Sequence, residues 1–113
     1  MAMNQSDVSE ELLRRDYCLA NGGEAKLIVY RPTKVLDGAD FECKYEIRGL
    51  GNPVQRMAGG IDEVQCVLLA LEMAAAALIA SPEYKARQLY WLDSDDPDLG
   101  LPLSKYGAKY GWQ

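Results

Sequence analysis

Read for alternation alone, the chain divides into a series of strands and one long helix. Residues 41–48 alternate most cleanly, with Phe41, Cys43, Tyr45 and Ile47 on one side and Glu42, Lys44, Glu46 and Arg48 on the other. A period of two with one apolar and one charged side predicts an antiparallel strand covered on one face. At the N-terminus, residues 6–13 read as a frayed helical turn, because Ser6 or Asp7 can cap it and Glu10 and Glu11 suit a first turn. From about Leu12 the pattern becomes strand-like, up to Asn21-Gly22-Gly23-Glu24, a turn whose Asn and Gly tolerate positive φ. Residues 25–31 then form the partner strand, which Pro32 ends or confines to an edge because it cannot donate to a ladder. Residues 36–39 and 49–53 read as further turns, and 54–58 as a short fourth strand.

The next segment has a helical period. Asp62 is a good N-cap, Gln65 three residues on completes a capping-box pattern, and Gly59-Gly60 lets the chain turn sharply into it. Ile61, Val64, Val67, Leu68, Leu71, Ala75, Leu78 and Ile79 recur at steps of three and four, which assigns them to the side facing the sheet. Leu69, Met73 and Ala76 lie off that side yet are also apolar, and only Gln65 and Glu72 are polar between Val64 and Ala80. A helix apolar nearly all round needs cover on more than one side. Ser81-Pro82 ends it, because a proline restricts the residue before it. A charged connection over 83–87, a strand over 88–92, an acidic loop over 93–103 and an aromatic tail follow.

These elements predict an α+β fold: an antiparallel meander of about four strands, one long helix packed on a face, and a C-terminal strand or arm. Turns this short forbid the crossovers that parallel pairing of the first four strands requires. One domain over 1–113 is expected, with 1–10 frayed and 93–113 forming loop and arm.

Composition narrows the function classes. A formal net charge of −5 with no histidine argues against nucleic acid as a direct partner. Cys18, Cys43 and Cys66 are odd in number and far apart, which fits reduced core thiols of a cytoplasmic protein rather than disulfides or zinc. The polar N-terminus is no secretory signal. The apolar run over 64–80 is interrupted by Gln65 and Glu72 and falls short of the roughly 20 strongly apolar residues of a span, so no membrane association is expected.

Two stretches, Cys43-Lys44-Tyr45-Glu46-Ile47-Arg48-Gly49-Leu50 and Gly60-Ile61-Asp62-Glu63-Val64-Gln65, resemble a family of small bacterial proteins whose defining domain has no assigned function. Leu68-Leu69-Ala70-Leu71, Leu89-Tyr90-Trp91-Leu92 and Leu99-Gly100-Leu101-Pro102 fit the same resemblance, which spans roughly residues 12–103. It implies a β-meander followed by a Gly-x-Asp helix start, and departs where Glu63 and Cys66 replace an expected serine and alanine. It implies no activity.

No set of acid, base and nucleophile converges. Without histidine, Ser-His-Asp and Cys-His sites are excluded within one chain. Cys66, in the first turns of the helix, has the dipole in its favour but apolar neighbours against it, and reads as a core thiol, as does Cys43. Asp93, Asp95, Asp96 and Asp98 lack the mid-loop glycine and closing glutamate of an EF-hand and read as a solvated loop. Glu72 reads as the wet stripe of the helix, with a buried functional acid as the alternative. No cofactor is expected.

The expected role is a non-enzymatic interaction module that homodimerises. Leu69, Met73 and Ala76, or the aromatic tail residues Tyr106, Tyr110 and Trp112, would form its contact surface. The tail has the alternative of packing back on its own chain. Two other readings stay open: an acidic immunity-like or antitoxin-like protein that occupies a basic partner, and a small-ligand binder or enzyme using the sheet–helix groove with Glu72 and a tyrosine.

Overall fold

A computed structural model describes residues 10–35, 40–105 and 107–112; the turn expected over 36–39 and the tail residue Tyr106 lie outside them. The elements are β1 (Glu11–Leu19), β2 (Glu24–Tyr30), β3 (Thr33–Lys34), β4 (Phe41–Arg48), β5 (Val54–Gly60), α1 (Glu63–Ala80), α2 (Pro82–Lys85) and β6 (Leu89–Tyr90). All strands join one antiparallel sheet in the order β5–β4–β2–β1–β6, with β3 continuing along β4 beyond the end of β2. Pro32 divides what would be one long strand into β2 and β3, since it offers no N–H to the ladder.

Residues 11–13 are the start of β1 and not part of a helical turn. Pairing with β2 overrides the local capping signals there. The register slips between Glu11 and Leu13, which leaves Leu12 outside the ladder as a bulge. The strand expected over 88–92 shortens to Leu89–Tyr90, paired with the end of β1, and the charged connection before it holds the single turn α2.

One face of the sheet carries Tyr17, Leu27, Val29, Cys43, Tyr45 and Ile47, all at most 2% exposed. Against it lie Cys66, Ala70, Ala74 and Leu78 of α1, each fully buried. Burying side chains such as Leu27, Ile47 and Leu78 contributes about 1.5–3 kcal/mol each, which makes this interface the main source of stability. The opposite face is coated by polar side chains. Glu46 accepts hydrogen bonds from Arg48 Nε and Gln55 Nε2, both at 2.9 Å. Ile28, whose neighbours across the ladder are Arg14 and Glu46, is buried on this charged side.

The face of α1 that meets the sheet differs in part from the expected one. The three-and-four spacing assigns Ile61, Val64 and Leu68 to the inside, yet they are 73%, 67% and 46% exposed. Ala75 and Leu78 are buried as that spacing assigns them, and Val67, Leu71 and Ile79 pack against the core, but in the first turns the sheet takes the smaller stripe, Cys66, Ala70 and Ala74. The corner explains why. A Cβ on Gly60 would fall 2.6 Å from the Cys66 nitrogen, so the first turn of α1 sits directly on the end of β5. At that separation only small side chains fit between helix and strand.

The helix ends are closed as the sequence suggests, with one variation. Asp62 Oδ1 accepts from Gln65 N at 2.8 Å, while Gln65 Oε1 accepts from the amide of Ile61, one residue earlier than in a standard capping box. Ser81 ends α1 by donating to Leu78 O at 2.7 Å and starts α2 by accepting from Tyr84 N.

The two sides of α1 are expected to separate in stability measurements. Ala74→Leu overpacks the helix–sheet contact and lowers stability by about 1–3 kcal/mol. Val64→Ser, on the exposed side, changes it by no more than about 0.5 kcal/mol. Urea denaturation of the two variants checks this; equal losses would contradict the assignment of faces.

Candidate interaction surfaces

The sequence points to two regions, the outer side of α1 and the aromatic tail. The tail is folded onto its own chain. Tyr110 Oη donates to Leu101 O at 2.8 Å and accepts from Leu101 N at 2.9 Å. Gly111 N donates to Tyr84 Oη, which itself donates to Pro97 O, both at 2.9 Å. Trp112 packs against the core, with the Arg87 guanidinium 4.7 Å from its ring centroid. Two β1 side chains hold the segment before the tail: Arg15 Nη1 donates to Gly100 O at 2.7 Å, and Tyr17 Oη donates to Leu99 O at 2.9 Å. Arg15 also stacks on Trp91 at 3.8 Å. Gly100, at φ +72°, fits beneath this stack because a Cβ there would collide with the Trp91 ring.

The acidic loop is organised by its own carboxylates. Asp93, Asp96 and Asp98 each accept a backbone N–H two residues on, at 2.7–3.0 Å. Such Asx turns use the acids to shape the loop. Among the described residues, no group of three His, Cys, Asp or Glu is arranged to hold a metal ion.

Cys66 and Cys43 are fully buried, while Cys18 is exposed. Burial, with the neighbouring Cys66 thiol adding to it, pushes the Cys43 thiol up to about 11; burial also raises Cys66. The helix dipole at Cys66 therefore does not prevail. Glu72 is partly exposed and does not line the groove described next.

Among the described residues, two sides of α1 keep apolar side chains exposed. The first borders a mainly apolar groove of about 480 Å³ lined by Leu12, Pro32, Val64, Val67 and Leu68, with Arg31 and Glu63 as its charged members. The bulge in β1 brings Leu12 to this groove. Val64 and Leu68 were expected in the core; the clue to their exposure was the row of small residues at 66, 70 and 74, which marks a competing and tighter packing side.

The second surface flanks β5. At about 100° per residue, Leu69, Met73 and Ala76 lie on the side of α1 opposite the groove, and so above the outer edge of the sheet. Val54, at the start of β5, lines a small cleft with Ala77 and Ala80 of α1. Met73 and Ala76 are exposed and Leu69 is half-buried. Beneath them β5 pairs with β4 alone, so no described strand covers its other edge. By length and composition α1 could cross a membrane, at a mean hydropathy of 1.8 over 18 residues; here its small-residue stripe lies against the sheet.

Residues 13–103 match the model of a family described as a domain of unknown function, DUF6968. The chain belongs to the DUF6968 family. That match covers every element from β1 to β6 apart from the first residues of β1, and so includes both exposed apolar sides of α1. No curated protein and no solved structure matches the chain. Membership in DUF6968 thus fixes the family and carries no activity with it.

Two measurements follow from the buried groups. A thiol reagent is expected to label one cysteine, Cys18, at once, and Cys43 and Cys66 only after denaturation; fast labelling of three would place the core thiols wrongly. Tyr17 is pushed up to about 12, chiefly by burial, against an ordinary value of 10. A pKa raised in the folded state means the unfolded chain releases its proton first, so stability is intact below pH 10 and falls as pH rises from 10 toward 12. Denaturation midpoints across that window, compared with Tyr17→Phe, check the sign: the variant loses less stability over the window even if it starts lower.

Proposed function

We propose that this DUF6968 domain is a non-enzymatic protein-interaction module of the cytoplasm that works as a homodimer through the outer side of α1. The observation that carries this reading is the second apolar side of the helix, where the described residues leave Met73 and Ala76 exposed and Leu69 half-buried. A monomer gains nothing from keeping apolar side chains in water, whereas a second copy that covers them recovers roughly 25 cal/mol for each Å² removed. Among the described residues, no acid, base and nucleophile converge, which supports a binding role over a catalytic one. The folding back of Tyr110 and Trp112 onto Leu101 and Arg87 favours the helix over the tail as the contact surface.

A second reading, an acidic immunity-like or antitoxin-like protein, is favoured by one observation. The loop bearing Asp93, Asp95, Asp96 and Asp98 is exposed and held in shape by its own turns, ready to face a basic partner. The two readings are compatible, because the loop and the outer side of α1 involve different residues.

Light scattering tests the first reading. At tens of micromolar the protein is expected at twice its 12.5 kDa chain mass. Met73→Asp is expected to raise the dimer dissociation constant at least tenfold while the far-ultraviolet circular dichroism stays unchanged. A wild-type monomer at that concentration would refute the homodimer.

A further inference from the structure

We infer that two copies of this chain join edge to edge through β5, in antiparallel, so that their sheets become one continuous sheet with both α1 helices side by side on the same face. The inference rests on the homodimer reading above and specifies its geometry.

Three observations carry it. The first is the state of the sheet's two sides. An edge strand presents unpaired N–H and C=O groups that a protein must blunt or cover. The outer edge of β1 is blunted: a bulge interrupts it at Leu12, β6 pairs with its end, and Arg15 and Tyr17 grip the C-terminal segment. Among the described residues, the edge of β5 has no such protection. It is seven residues long, regular in its pairing with β4 from Val54 to Gly60, free of internal proline, and carries one charge, Arg56.

The second observation is that this edge and the apolar side of α1 form one composite surface. The helix runs back along β5, since Gly60 adjoins Cys66 and Val54 adjoins Ala77 and Ala80. The middle of the strand is therefore level with the middle turns of the helix, where Leu69 and Met73 project over the edge. An extended peptide would satisfy the strand and leave those side chains in water. A second copy supplies a strand for the edge and an apolar helix side for the helix in a single contact.

The third is register. Residues opposite each other in an antiparallel pair share a face, so a two-fold axis perpendicular to the sheet requires one residue to oppose its own counterpart. With Met57 on the axis the whole strand pairs: Val54 faces Gly60, Gln55 faces Gly59 and Arg56 faces Ala58. With Arg56 on the axis, two guanidinium groups oppose each other and only residues 54–58 pair, which is unfavourable. Met57, 50% exposed in the single chain, would meet its twin on the charged side of the sheet.

Cross-linking tests this geometry. In a Cys18→Ser background, which removes the exposed thiol, Met57→Cys and Gln55→Cys are each oxidised with copper-phenanthroline and run on a non-reducing gel. Met57→Cys is expected to convert mostly to covalent dimer, because facing residues in a strand pair lie within disulfide reach. Gln55→Cys is expected to stay largely uncross-linked, because the two copies of residue 55 would sit four strand positions apart, about 13 Å. Equal cross-linking of both variants, or none at Met57 while light scattering reports a dimer, would overturn the β5 pairing and leave the homodimer standing. A wild-type monomer would overturn both. Circular dichroism of each variant ensures that the comparison is between folded proteins.

Discussion

The close approach of α1 to the sheet is the constraint on which the rest of this structure depends. Gly60 allows it, because any side chain there would collide with the backbone of Cys66. Once the helix starts that near to β5, the small residues Cys66, Ala70 and Ala74 fill the gap along its first turns, Leu78 packs inward only near its far end, and Val64 and Leu68 stay on the flank. Each later feature follows from this choice of stripe. The helix cannot hide all its apolar side chains, so it leaves one group beside β1 and another above β5.

The remaining contacts protect one half of the molecule more than the other. Arg15 and Tyr17 reach from β1 to hold the C-terminal segment, and Tyr84 and Tyr110 tie that segment to α2 and to itself. Leu99, Leu101, Tyr110 and Trp112 thereby complete the core. Among the described residues, no strand pairs with the outer edge of β5. The unpaired strand edge and the exposed apolar side of α1, among those residues, thus lie along the same border.

Much of the fold was legible from local signals. The alternation of residues 41–48, the Asn21-Gly22-Gly23 turn, the Asp62 cap and the Ser81-Pro82 stop each act over a few residues, and each corresponds to an element or boundary in the structure. The candidate surface was only half legible. Leu69, Met73 and Ala76 stand out as surplus apolar positions on a helical period, and their place opposite the groove follows from the helix alone. That they overhang a strand edge does not, because which strand lies outermost is a property of the sheet order.

What the sequence determined by itself was the type and approximate extent of the main elements, the antiparallel pairing enforced by short turns, and the absence of histidine, which excludes histidine-dependent catalytic sites within one chain. Tertiary structure decided which stripe of α1 faces inward, because steric closeness at Gly60 outweighed the larger transfer energy of Val64 and Leu68. It decided that residues 11–13 extend a strand, because a ladder partner outweighs a local cap. It also decided that Tyr110 and Trp112 close the core while β5 stays open, since the destination of a tail and the occupancy of an edge depend on distant chain segments. Periodicity reports what a helix or strand could bury; only the assembled sheet determines what it does bury.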